Sequence, residues 1–129
     1  SLREVDSPRD PVQLVHQLRK AGHTADRVAA VLVQWALRPK AIEKFGAFAD
    51  RMLFTKPGLE QATRLAIASH HATRFDQAHL HHIADLGCGI GGDSLAFAGL
   101  SMTVTAIDAD PVTVAIAGYN LQPFVLSSF

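Results

Sequence analysis

A single cysteine, Cys88, stands in the 129 residues. One thiol excludes an intramolecular disulfide framework and a multi-cysteine zinc site. No apolar run approaches the ~20 residues that cross a bilayer. The first residues, with Arg3, Glu4, Asp6 and Arg9, lack the apolar centre of a secretory signal. The expectation is therefore a cytoplasmic protein that makes no membrane contact. Lys and Arg are absent beyond Arg74. Residues 1–80 carry twelve basic and eight acidic side chains, a net of +4, whereas residues 81–129 carry only Asp85, Asp93, Asp108 and Asp110, a net of −4. Such polarity allows the first part to face a polyanion and the second to hold a cationic ligand. The plainer alternative is solvated helix faces, since +4 falls short of a strong nucleic-acid footprint. Internal repeats and low-complexity tracts are also missing, and 48% hydrophobic residues suffice for a globular core.

What is present divides into two patterns. The first part reads as helical throughout. Asp10 followed by Pro11 is an N-cap with proline at the first helical position, opening a helix to about Ala21 that stops at Gly22. Thr24 caps a second helix with Val28, Val31, Leu32 and Trp35 on one stripe. Pro39 is expected to break it and start a third helix through Ile42 and Phe45 towards Phe48 or Met52. Lys56-Pro57-Gly58 reads as a turn, and Leu59, Ala62, Ala66 and Ile67 as the stripe of a fourth helix ending near Arg74. From His82 the pattern changes to one βαβα unit. It comprises a strand to Leu86, a glycine loop, a helix from about Gly91 to Ala98 closed by Gly99, a strand over Met102–Asp108 and a helix from Pro111 to about Asn120. Residues 123–129 are at most one more short strand. The fold class expected is α/β: a helical subdomain over residues 1–78, then, over 79–129, the first βαβα part of a Rossmann-like sheet. Because a doubly wound sheet needs more strands, the chain reads as the front fragment of a longer protein.

The chemistry concentrates in Asp85-Leu86-Gly87-Cys88-Gly89-Ile90-Gly91-Gly92, with Ile107-Asp108 closing the next strand. Two parallel strands would set Asp85 and Asp108 at adjacent carboxyl ends, where open α/β sheets bind ligands. The glycines satisfy both GxGxxG and DxGxGxG, so spacing alone leaves a dinucleotide and S-adenosylmethionine open. In a dinucleotide site the pyrophosphate approaches backbone N–H groups at the helix start, where a nearby carboxylate repels it. S-adenosylmethionine has no phosphate and brings an ammonium and a sulfonium, so Asp85 becomes an asset. Asp108 suits the two ribose hydroxyls of either ligand.

Asp85–Gly92 together with Ala106-Ile107-Asp108-Ala109-Asp110-Pro111 resembles the first two motifs of class I S-adenosylmethionine-dependent methyltransferases. The Ala-Ile-Asp-x-Asp-Pro phrase, followed by Ala115, Ala117 and Asn120, looks most like the trimethylguanosine synthase group of RNA cap guanine-N2 methyltransferases. It is also similar to bacterial methyltransferase-like proteins with a THUMP-like domain, whose lead-in is similar to Lys44-Phe45, Met52, Phe54-Thr55 and Leu59-Glu60-Gln61-Ala62-Thr63. The resemblance covers roughly residues 40–120. It implies a Rossmann-like methyltransferase sheet, S-adenosylmethionine as cofactor, and an RNA substrate methylated at a base nitrogen. The cofactor-binding residues it implies, with the reading above, are Asp85, Gly87, Cys88, Gly89, Gly91, Asp108 and Ala109, with Phe54 and Thr63 from a pre-motif that closes over the methionyl side. Ala109 and Asp110 would line the adenine side, although Asp110 is equally an N-cap for Pro111. For Phe54 the plain alternative is the core, and for Thr63 the first turns of the fourth helix.

His70, His71, His79, His81 and His82 invite a metal site, but their sequential pairs point to different sides of a helix or strand, so no metal is expected. Methyl transfer from an activated sulfonium asks mainly for alignment. In the resembling enzymes the acceptor is gripped by a later proline-rich motif, so no residue here is nominated as catalytic and the chain alone is expected to be inactive. Two rival functions are an NAD(P)-dependent Rossmann oxidoreductase fragment and a non-catalytic module that binds nucleic acid or protein.

Overall fold

The computed structural model describes residues 10–125. It forms two compact units that divide between Ala36 and Leu37. In the first unit, α1 spans Pro11–Lys20, and the Asp10 carboxylate accepts the Val12 N–H at 2.9 Å. Gly22 ends it with φ +90°. Thr24 then accepts the Arg27 N–H at 3.3 Å and opens α2, Ala25–Phe45.

Helix α2 runs through Pro39, where the sequence predicts a break. An interior proline removes one helical hydrogen bond and crowds the preceding turn, at ~3 kcal/mol. The turns that follow carry Ala41 and Phe45, 0% and 1% exposed, and that burial keeps the helix going. A 3₁₀ helix over Gly46–Arg51 follows. The predicted fourth helix is two helices. Lys56-Pro57-Gly58 is the first turn of α3, Lys56–Gln61, in which the Thr55 hydroxyl accepts the Gly58 N–H at 3.0 Å. After an extended stretch, α4 runs over Leu65–Gln77 and buries Ala68 and Ala72, leaving the predicted stripe residues Ala66 and Ile67 exposed.

Strand β1, His82–Leu86, pairs in parallel with β2, Thr103–Ile107, with Ile83 opposite Val104 and Asp85 opposite Ala106. Between them lies α5, Gly92–Gly99, and after β2 comes α6, Pro111–Val125. Helix α6 continues past Asn120, so Pro123–Val125 are helical and not a strand; the remainder of that expected strand, 126–129, lies outside the described residues. One core cluster gathers Phe45, Met52, Phe54, Leu59, Ile90 and Leu95. A second joins Ala68 and Ala72 of α4 to Ile83, Ala96, Phe97 and Met102. Helix α5 contributes to both clusters, so the helices from Leu37 onward pack with the sheet.

Candidate functional site

The loop after β1 is built by backbone hydrogen bonds. Cys88 N–H donates to the Ile107 carbonyl at 2.9 Å, tying the loop to the end of β2. Gly91 N–H returns to the Cys88 carbonyl at 3.0 Å, and the Gly91 carbonyl accepts the first helical bond, from Leu95, at 2.8 Å. Gly87 and Gly89 hold φ +70° and +55°, a region that side chains with a Cβ enter only with strain. A Cβ at either would meet nothing within 4 Å, so both present bare backbone to open space. Gly91 differs: its missing Cβ would lie 3.4 Å from Ala117 of α6.

The two strand-end acids meet this loop. The fully buried Ser94, in the first turn of α5, donates its hydroxyl to Asp85 at 2.6 Å. Asp108 accepts the Gly89 N–H at 3.1 Å on one oxygen and the Asp110 N–H at 3.0 Å on the other. Each carboxylate oxygen retains a second lone pair. Burial, then the fields of Asp85 and Asp108, push the Cys88 thiol above its ordinary value. The thiol stays protonated as a small filler, 6% exposed, which fits a loop residue and not a nucleophile. Burial, then Asp85, likewise raise the Asp93 carboxyl, against an opposing pull from His71. Asp110 is lowered chiefly by the Thr113 hydroxyl, which donates at 2.6 Å. With the Val112 N–H at 3.3 Å on its other oxygen, Asp110 is the cap ahead of Pro111.

A cleft of about 140 Å³ opens between this loop and the end of α3, lined by Gly58, Gln61, Ala62, Thr63, Gly87, Cys88, Gly89, Ile90, Gly92 and Asp93. Thr63, Gly87, Cys88 and Gly89 are thus brought to one cleft, with Thr63 in the connector and not in a helix. Asp85, Asp108 and the exposed Ala109 border the loop from the strand ends. Two expected residues stand elsewhere. Phe54 is 1% exposed, stacks on Phe45 at 6.3 Å and lies beneath the Arg38 guanidinium. Gly91 is absent from the cleft because it is the contact point with α6. Among the described residues no group of three or more His, Cys, Asp or Glu converges to hold a metal ion, and no helix is long and apolar enough to cross a membrane.

Three structural residues of the site carry no role in the sequence reading. Asn120, 2% exposed, accepts the Leu53 N–H at 2.8 Å and donates to the carbonyls of Leu53 at 3.0 Å and Ile90 at 2.8 Å. Lys44 donates to the carbonyls of Leu59, Glu60 and Ala62 at 2.7, 3.0 and 2.8 Å. Ser94 is the third. All three are polar residues on helices in positions where solvated faces are the default; a distant backbone partner reveals Asn120 and Lys44, and the Asp85 carboxylate reveals Ser94.

A family described as a domain of unknown function (DUF8688) matches residues 1–41. An uncharacterized S-adenosylmethionine-dependent methyltransferase of Mycobacterium tuberculosis, found in two strains, is 33% identical over 101 residues, 74% of this chain and 27% of the relative. A 23S rRNA (uracil(747)-C(5))-methyltransferase of Citrobacter koseri is 39% identical over 74 residues, 54% of this chain and 20% of the relative. The chain thus spans about a quarter of the length of these curated relatives. They are named as methyltransferases, one of them for rRNA, and they do not single out the trimethylguanosine synthase or THUMP-like groups.

Proposed function

We propose that this chain contributes the donor-binding part of an S-adenosylmethionine-dependent methyltransferase whose acceptor is an RNA base. The observation that carries this reading is the Asp85 carboxylate held by Ser94 at the first turn of α5. That is the place where a dinucleotide site would receive pyrophosphate. A fixed carboxylate there, with Asp93 and Asp108 nearby, disfavours an anion and favours an ammonium or sulfonium. The open faces of Gly87 and Gly89 fit a ligand lying against bare backbone. Asp85 would orient the ammonium side, Asp108 the ribose hydroxyls through its spare lone pairs, and Ala109 the adenine side. When bound, the donor supplies an activated methyl group; the residues here align it and keep its charge compensated. The finer likeness to the trimethylguanosine synthase and THUMP-like groups, and with it a base nitrogen as target, belongs to this proposal as well.

RNA as acceptor is supported by the rRNA-directed relative and by exposed Lys56 and Arg64 beside the cleft-forming connector. Calorimetric titration with S-adenosylhomocysteine, NADH and NADPH separately tests the donor. Binding of S-adenosylhomocysteine alone is expected. Heat from NADH or NADPH with none from S-adenosylhomocysteine would overturn the reading in favour of an oxidoreductase. Transfer of a labelled methyl group by the whole protein to unmodified rRNA, and to a protein-only pool as contrast, tests the acceptor.

A further inference from the structure

The cleft has two walls, and one turn of α2 holds both. On the glycine-loop side, the Phe45 ring packs on Gly92, where an added Cβ would come within 3.3 Å of its edge. On the other side stands the connector over residues 62–64, which has no secondary-structure ladder of its own. Lys44, the neighbour of Phe45, spends its three ammonium hydrogens on three carbonyls there: Leu59 and Glu60 at the end of α3, and Ala62 in the connector itself. The last carbonyls of a helix have no partner within it. A cation at that end also meets the negative pole of the backbone dipoles. Lys44 therefore does what a longer helix would otherwise do, and it stops α3 so that Ala62 and Thr63 turn toward the loop. The Thr63 carbonyl comes within 3.7 Å of where a Gly92 Cβ would be, so the walls meet at that point.

We propose that Lys44 is a positioning residue for ligand specificity: by clamping the Leu59, Glu60 and Ala62 carbonyls, it sets the wall that receives the amino-acid end of the ligand. The inference rests on the donor reading above. Neither Asp85 nor Asp108 lines the cleft, but Asp93 does, together with Thr63 and Gln61; it precedes Ser94, the residue that holds Asp85, and its carboxyl feels the Asp85 charge, which sets the cleft on the side of the ligand assigned to Asp85. The ligand end assigned to this cleft is the one remote from the nucleoside.

The test compares S-adenosylhomocysteine with 5′-methylthioadenosine, which keeps the nucleoside and thioether and lacks the amino-acid end. Calorimetry on the full chain is expected to show Lys44→Met weakening S-adenosylhomocysteine about tenfold or more, with 5′-methylthioadenosine changed less than about twofold. Lys44→Arg, which keeps a multi-donor cation, should recover part of the loss. In the ligand-free protein, amide exchange should rise at residues 62–65 and stay unchanged in β1 and β2. If Lys44→Met does not fold, Lys44→Gln carries the same comparison. Equal weakening of both ligands, or of neither, would overturn the inference, as would unchanged exchange in the connector. Wild-type protein that binds neither ligand would instead overturn the donor reading, and this inference with it.

Discussion

The Ser94 hydroxyl lies 2.6 Å from the Asp85 carboxylate, joining the first turn of α5 to the end of β1 beneath the glycine loop. Ser94 is fully buried, so the acid is held by a donor that water does not replace. Removing the hydroxyl with Ser94→Ala leaves a half-buried carboxylate short of a partner, and is expected to cost about 1–3 kcal/mol in urea unfolding. Asp85→Asn keeps the shape and removes the charge. It should weaken S-adenosylhomocysteine binding at least tenfold in calorimetry, with a smaller change in stability.

Asn120 joins three chain segments through both ends of its amide. Asn120→Leu strands the Leu53 N–H and two carbonyls in the interior, and equilibrium denaturation should register a loss of about 2–4 kcal/mol. Asn120→Asp should be at least as damaging, because a carboxylate offers no donor to the Leu53 and Ile90 carbonyls.

Two glycines of the loop should respond in opposite ways to alanine. At Gly89, φ +55° with open space beyond, Gly89→Ala costs about 1 kcal/mol of strain and projects a methyl into the ligand face. Ligand affinity should fall much further than stability. At Gly91, where the neighbour is the α6 backbone at Ala117, the same change should lower the thermal midpoint first and affect binding through it.

The raised Asp93 carboxyl gives a signed pH effect. Its folded pKa lies above its unfolded value, through burial first and the Asp85 charge second, with His71 opposing. Between the two values the folded state binds more protons, so ionising Asp93 works against folding as pH rises through the folded value. Asp93→Asn is therefore expected to raise stability at neutral pH. The gain should vanish below the ordinary carboxylate range, as read by denaturant midpoints across pH. Asp110, lowered by Thr113, contributes in the opposite sense: its stabilisation is present above the ordinary carboxylate range and is lost as pH falls through its folded value.

Phe54 separates a core role from a ligand role. Phe54→Ala should cost about 3–5 kcal/mol in denaturation, whereas Phe54→Leu, which keeps most of the apolar volume, should bind S-adenosylhomocysteine as wild type does. A large affinity loss in a well-folded Phe54→Leu protein would restore the ligand role.

Local chemistry made much of this legible in the chain. Asp10-Pro11, Thr24 and Asp110-Pro111 cap helices because their oxygens reach the N–H groups two or three residues ahead, a purely sequential relation. The βα turn through Gly87 and Gly89 was legible because positive φ selects glycine. Failures came where a distant partner outvoted a local signal. Pro39 did not end α2, since Ala41 and Phe45 had a core to fill. The packing of Phe54 against Phe45 and Arg38, and the approach of Gly91 to Ala117 of α6, leave no local pattern either.

By itself, the sequence determined the parallel βα unit, the acid at the end of each strand and the charge sign of the loop, because caps, alternation and glycine requirements act over a few residues. Tertiary structure alone decided where the second wall of the cleft stands. It rests on Lys44 reaching Leu59, Glu60 and Ala62, and on Asn120 reaching Leu53 and Ile90. Hydrogen bonds from a side chain to carbonyls some 15 to 67 positions away leave no periodic trace, and they exist only once the core has brought those backbones together.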